Sequence, residues 1–203
     1  QTRNQALSGL QFLYRHVLDG ASEWVDDIAR ARGPKSLPVV LSRAEVRAVL
    51  GHLSGVRHLQ ASLLYGSGLR LMECSTLRVK DLDPSRGQVW IRSGKGNKDR
   101  TTVFPAGLMQ PLQDHLAAVR RQHQADLKRG LGSVELPAGA RLKSPETQRQ
   151  WAWQWVFPAT RFYRDATTRQ RRRHHLHPSG LQRHFKRAVL QAGIPKRASC
   201  HSL

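Results

Sequence analysis

Leu63 to Asp83, LLYGSGLRLMECSTLRVKDLD, and Gln88 to Arg100, QVWIRSGKGNKDR, are the stretches around which the chain is read. His58 to Gly66 reads as a buried helix, and Gly66-Ser67-Gly68 supplies the backbone freedom to end it. Leu71 to Leu77 suits a short helix, followed by a polar turn at Asp81-Leu82-Asp83-Pro84. Gln88 to Arg92 and Thr101 to Phe104 carry the β-branched and aromatic residues expected of strands. The turn between them exceeds a two-residue hairpin loop, and Gly94 and Gly96 free its backbone. Arg70 is thus delivered from a helix start, and Lys95 and Lys98 from a turn. Cations brought to one surface from two elements suit the holding and cleaving of a phosphodiester.

Composition points the same way. With 203 residues and 39% hydrophobic content, the chain can bury one good core and a small appendage. Its net charge of +20 and isoelectric point near 11.5 create a field that attracts polyanions, nucleic acid first among them. No basic amphipathic helix with a clean apolar face argues for a membrane surface, and no apolar run approaches the ~20 residues that span a bilayer. The N-terminal residues do not form a signal peptide. Cys74 and Cys200 are too few and too isolated for a disulfide framework, so a reducing, cytoplasmic setting is expected. Without an initiator Met, and stopping at His201-Ser202-Leu203, the chain reads as an internal fragment.

Outward from the opening block, Leu7, Leu10, Phe12, Leu13, Val17 and Leu18 give residues 4–18 the spacing of an amphipathic helix. A short stretch follows from Ala21 to Ile28, and then a linker over 31–42 with two prolines and a glycine. Ser42-Arg-Ala-Glu45 is a capping-box pattern that opens a second domain and a helix through Leu53. Ala106 to about Arg129 is a long helix with Leu108, Leu112, Leu116 and Val119 on one side. Beyond it the pattern weakens until Trp151, Trp153, Trp155 and Phe157 appear within seven residues. Strand-like alternation would put the three tryptophans on one side and Val156 on the other. Arg161 to His177 reads as a basic loop or ribbon, and Ser179 to Gln191 as a final helix. The expected class is mainly α with a small antiparallel β-sheet (α+β).

Three clusters carry chemical possibilities. Arg70 offers a planar fork that donates two parallel hydrogen bonds to a phosphate; the plainer reading pairs it with Glu73, three residues on. Lys95 and Lys98 can supply charge to a phosphate or a proton to a leaving oxygen, though any basic hairpin that contacts DNA nonspecifically would look similar. His174, His175, His177, Cys200 and His201 fit no common zinc spacing and have no carboxylate beside them, so no metal is expected. Interleaved with Arg171, Arg172 and Arg173, the histidines suit phosphate contact or base stacking.

Together these residues resemble the tyrosine recombinase family, and within it the integron integrases. Gly66-Ser-Gly-Leu-Arg70-Leu-Met-Glu73-Cys-Ser-Thr-Leu77 matches the family segment that holds its first catalytic arginine. Gly94-Lys95-Gly96-Asn97-Lys98-Asp99-Arg100 matches the hairpin that holds its catalytic lysine, and His201-Ser202-Leu203 the first three positions of its second box, H-x-L-R. Trp153-Gln-Trp155-Val-Phe157-Pro158 and Arg172-Arg173-His174-His175-Leu-His177 resemble the end of an insertion, here about 131–158, and the segment after it, both particular to integron integrases. Phe185 to Ile194 is also typical of that group.

The resemblance implies part of a helical core-binding (SAM-like) domain over 1–30 and a catalytic domain over 43–203, together clamping DNA. It implies strand cleavage through a covalent phosphotyrosine link, with no cofactor, by a homotetramer assembled on DNA in the bacterial cytoplasm. Arg70 would bind the scissile phosphate, Lys95 would act as general acid, and His201 would assist proton transfer or hold a nonbridging oxygen. Lys98, Arg100, Arg172 and Arg173 would contact DNA. Trp153, His174 and His175 would hold bases that bulge from folded single-stranded cassette sites, which the enzyme recombines alongside double-stranded attachment sites. The second-box arginine would follow Leu203, and the nucleophilic tyrosine would lie further on. Tyr14, Tyr65 and Tyr163 all precede the second box, so the fragment itself is expected not to cleave DNA. A non-enzymatic nucleic-acid binder and a type IB topoisomerase are the alternatives.

Overall fold

The computed structural model describes residues 2–18, 28–29, 37–92, 99–137 and 145–203. It divides into two compact units, Gln1–Pro38 and Val39–Leu203. The first contains helix α1 (Thr2–His16). Of its apolar residues Leu7 is buried, whereas Phe12, Val17 and Leu18 are exposed. The expected stretch 21–28 and most of the linker lie outside the described residues.

The second unit begins as expected. Helix α2 (Arg43–Gly51) is opened by a capping box: the Glu45 amide donates to Ser42 Oγ at 3.3 Å and the Ser42 amide to Glu45 Oε2 at 2.7 Å. Helix α3 (Gly55–Ser67) buries Leu59, Leu63 and Leu64. It stops at Gly68, whose φ of 60° is the left-handed conformation that a residue without Cβ adopts freely. Helix α4 (Leu71–Ser75) follows at once.

The polar turn expected at Asp81 is a 3-10 turn (Val79–Asp81) running into strand β1 (Leu82–Asp83). Buried Asp81 is satisfied internally, accepting from the Arg78 amide at 3.2 Å and from Arg92 Nε at 2.9 Å, which lets a polar segment join the sheet. Strands β2 (Gln88–Ile91) and β3 (Arg100–Val103) complete an antiparallel sheet in the order β1-β2-β3. The register pairs Val89 with Thr102 and Ile91 with Arg100, and Val89 and Ile91 face the core.

The long helix α5 (Met109–Lys128) starts three residues later than expected, after a 3-10 turn (Ala106–Leu108). The tryptophan segment departs from the strand expectation, because Trp151–Trp153 is a 3-10 turn and the alternation fails. Trp151 approaches His123 and Arg120 of α5, while Trp155 is buried. The basic stretch is a two-stranded antiparallel ribbon, β4 (Pro158–Arg164) with β5 (Arg171–His175), carrying an irregularity between Pro158 and Phe162. Helix α6 (Pro178–Gln191) buries Leu181, Phe185, Ala188 and Val189 against α2 and α3. The result is helices with small antiparallel sheets, as the composition of elements had suggested.

One contact sets how closely α3 meets the segment after β3. A Cβ built at Gly66 would lie 2.4 Å from Cγ of Pro105, while one at Gly107 would meet nothing within 4 Å. Gly66→Ala is therefore expected to lower stability by about 1–3 kcal/mol through overpacking. Gly107→Ala should stay within about 0.5 kcal/mol. Urea denaturation checks both, and equal effects would remove the close approach as the cause.

Candidate active site and nucleic-acid interface

Arg70 stands between Gly68 and α4, so its position is set by the turn that ends α3. Glu73, one turn into α4, accepts the Arg70 amide at 2.7 Å on Oε2 and Arg70 Nη1 at 2.8 Å on Oε1. Arg100, at the start of β3, places a bidentate fork on the same carboxylate, Nη1 to Oε1 at 2.7 Å and Nη2 to Oε2 at 2.8 Å. Two cations thus share one anion and leave the node net positive. The Arg70 side chain stays half exposed, 51%, against 10% for Glu73. One of its five donors is spent on Glu73, and the fork remains reachable by a phosphate. The pairing with Glu73 and a phosphate contact are therefore compatible readings of Arg70.

His201 is exposed in a terminal 3-10 turn (Cys200–Ser202), where its amide donates to Ser199 Oγ at 3.3 Å. Cys200, before it, is buried in the same core as Cys74 of α4. Burial, aided by Cys200, pushes the Cys74 thiol up to about 12. The turn that holds His201 and the helix that follows Arg70 are therefore neighbours through their interiors. Lys95 and Lys98 lie outside the described residues; Ile91 and Arg100 are register partners in β2 and β3.

Beside the Glu73 node opens a cleft of about 360 Å³, within the range of small-ligand sites. Met72 and Glu73 come from α4, Trp90 from β2, Arg92 from just past its end, Lys80 from the 3-10 turn before β1, and Trp153 from the 3-10 turn Trp151–Trp153. Met72 and Trp90 are 50% and 39% exposed. The Lys80 ammonium sits 3.3 Å from the centroid of the half-buried Trp153 ring. Arg78, 7% exposed, also lines the cleft. Its guanidinium stacks 3.8 Å over Trp155 and donates to the carbonyls of Trp153 and Glu135, each at 2.7 Å. Burial draws its pKa down to about 10, which still leaves it charged at neutral pH.

The remaining candidate residues separate. The rings of His174 and His175 lie with centroids 4.0 Å apart, tilted by 45°, and His175 meets Trp155 edge-on at 5.3 Å. His175 is buried, which holds it below the ordinary imidazole value; His174 is half-buried. Arg172 and Arg173 present little to solvent. Arg172 Nη1 binds Asp165 Oδ2 at 2.7 Å, and Arg173 binds Asp126 Oδ2 of α5 at 2.9 and 2.7 Å through Nε and Nη2. Arg173 also donates to the carbonyls of Ala159 and Thr160, so its visible task is to seat the ribbon on α5. Tyr163, on that ribbon, has a buried hydroxyl and a phenol raised by burial, a poor setting for a nucleophile. Among the described residues no cluster of His, Cys, Asp or Glu could hold a metal ion, and no helix is long and apolar enough to cross a membrane. Sequence reading had singled out Glu73 only as a pairing partner, and had missed Arg78, Lys80 and Trp90. Each depends on a contact between distant parts of the chain.

The Arg100 fork, with the Arg70 donors, holds the Glu73 carboxyl at about 2, against an ordinary 4.5. That difference corresponds to roughly 3 kcal/mol at most, reduced by solvent screening of the exposed Arg70 arm. The folded pKa is depressed, so this stabilisation is complete above about pH 4.5 and is lost as pH falls toward 2. In denaturant titrations from pH 6 to 2, Glu73→Gln should be less stable at pH 6 and show a flatter decline. Parallel curves would refute the node.

Comparison with known proteins places this architecture. The model for the phage integrase family matches residues 40–203. The chain is 42% identical over 202 residues to an integrase/recombinase of Escherichia coli and to one of Pseudomonas aeruginosa, covering 100% of this chain and 60% of each relative. It is 34% identical over 116 residues to the tyrosine recombinase XerA of Thermococcus onnurineus, covering 56% of this chain and 40% of that protein. Among solved structures, XerA recombinase aligns with a TM-score of 0.52 at 20% identity, over 99% of this chain and 58% of that one. XerH site-specific recombinase bound to difH substrate aligns with 0.53 at 17% identity, over 95% and 48%. At such identities these two show a shared fold. The chain spans about 60% of the length of the curated integrase/recombinases it matches. With an arginine node, a basic cleft and a family model running from residue 40 to 203, the chain belongs to the phage integrase family, among the tyrosine recombinases.

Proposed function

We propose that this chain carries the DNA-binding surface and part of the catalytic centre of a site-specific recombinase of the integron integrase type. The observation that carries the reading is the contiguity of two features through one residue. Glu73 orients the half-exposed Arg70 and also lines the cleft walled by Trp90, Met72 and Trp153. A phosphate grip and a base-sized aromatic cleft thus share a wall, which suits an enzyme that must hold backbone and unpaired base together.

In this reading Arg70 binds the scissile phosphate and stabilises the charge of its transition state. Lys95 protonates the leaving oxygen, His201 assists at a nonbridging oxygen, and Lys98 contacts the DNA backbone. A tyrosine forms the covalent phosphodiester intermediate, and a homotetramer on DNA exchanges strands, in the bacterial cytoplasm. Arg100 acts by holding Glu73. A base that bulges from a folded single-stranded hairpin enters the cleft, stacks on Trp153 and meets the Lys80 ammonium. His175 and His174 support that wall through Trp155. Linear double-stranded attachment sites engage the same basic surface without the cleft.

Two measurements test the proposal. Aromatic stacking is worth about 1–3 kcal/mol per base, so Trp153→Ala should weaken binding to a hairpin with extrahelical bases about 5- to 150-fold. The same hairpin without bulges should be affected far less; equal losses would sink the base pocket. In the whole protein, a nicked suicide substrate should trap a covalent adduct, and Arg70→Ala should slow trapping about 100- to 1,000-fold. Absence of an adduct with the unaltered protein would leave a non-enzymatic DNA binder. Relaxation of supercoils without site preference would favour a topoisomerase.

A further inference from the structure

The ribbon formed by β4 and β5 carries a strained arginine at its tip. The Asp165 amide donates to the Gln170 carbonyl and the Arg169 amide to the Asp165 carbonyl, both at 2.9 Å. Asp165 Oδ1 caps the turn, accepting from the amides of Thr167 at 3.0 Å and Thr168 at 2.7 Å. This closure leaves Arg169 at φ 59°, and among the described residues every other positive φ belongs to glycine. A glycine at 169 would close the same turn without the crowding of Cβ against the backbone. The turn's geometry therefore gives no reason for a long cationic side chain there.

Charge accounts for it. Asp165 is the one acidic residue between Pro158 and His177, and its Oδ2 is taken by Arg172. Arg173 is neutralised by Asp126. Arg161, Arg164, Arg169 and Arg171 remain, all exposed and none with a carboxylate partner among the described residues. Arg164 and Arg171 are register partners, so they lie on one face next to the tip. A second copy of a chain with net charge +20 is an unsuitable partner for such a tip. A two-stranded ribbon has the width to follow a groove of duplex DNA, with arginines reaching the phosphates on either side.

We infer that the ribbon tip, through Arg164, Arg169 and Arg171, is a separate contact for the phosphodiester backbone of duplex DNA, and that Arg169 is held in a strained conformation to make it. The inference rests on the DNA-binding reading above. The test is duplex binding across a salt series, with thermal melting of each variant. Arg169→Gly should raise Tm while weakening duplex affinity about 3- to 10-fold at low salt. It should also reduce the slope of log K against log salt by about 0.9, the value of one phosphate contact. Arg169→Lys should keep the slope. Arg164→Gln with Arg171→Gln should lower it by about 1.8. A raised Tm with unchanged affinity and slope would overturn the contact, and a lowered Tm would overturn the strain. Failure of the unaltered chain to bind duplex at any salt would instead refute the DNA reading itself.

Discussion

The second unit depends on how a single carboxylate is satisfied. Glu73 is nearly enclosed, and an enclosed carboxylate without donors would cost several kcal/mol. Two guanidinium groups and a backbone amide meet it, and they come from two different constraints on the fold. The amide and one guanidinium belong to Arg70, two residues past the glycine stop of α3. The other guanidinium belongs to the first residue of β3, so the carboxylate ties helix α4 to the sheet. Without that anion Arg70 and Arg100 would repel; with it they stay close and keep a net positive charge facing outward.

Local rules in the sequence account for much of this framework. The Ser42–Glu45 box, the stop at Gly68, and the strands around Val89 and Thr102 each depend on neighbours within a few residues, and each appears where such rules put it. The features that local rules leave open share the opposite character. Arg172 and Arg173 sit in a run of three arginines and look like polyanion contacts. Their carboxylate partners include Asp126, 47 positions away from Arg173, a pairing that exists only after the ribbon lies on α5. The tryptophans look alike in sequence, but a 3-10 turn sends Trp151 to the long helix, Trp153 to the cleft and Trp155 inward. Of the candidate site, Arg70 and its family motif were legible; the cleft was not, since its walls come from four separated segments.

Arg78 helps to hold the segment around Trp153 in place. Among the described residues there, Val134, Leu136 and Trp155 form a small buried apolar cluster, with Trp153 partly packed against it. That is too little to fix a long excursion of the chain by hydrophobic burial alone. Backbone hydrogen bonds such as that from the Val156 amide to the Leu77 carbonyl tie it down, and so does a cation whose donors reach carbonyls 57 and 75 residues away. Such bonds are directional, so they set the position of the Trp153 wall more sharply than apolar packing of this extent would.

The two cysteines have a different consequence. Burial pushes Cys74 to about 12 and Cys200 to about 11. At neutral pH fewer than about one thiol in a thousand would be ionised, and alkylation proceeds through the thiolate. Both sulfurs therefore behave as packing atoms while the fold is intact. A thiol introduced on the surface of this unit would take up a maleimide dye alone, so position-specific fluorescent labels can be attached without first removing the native cysteines.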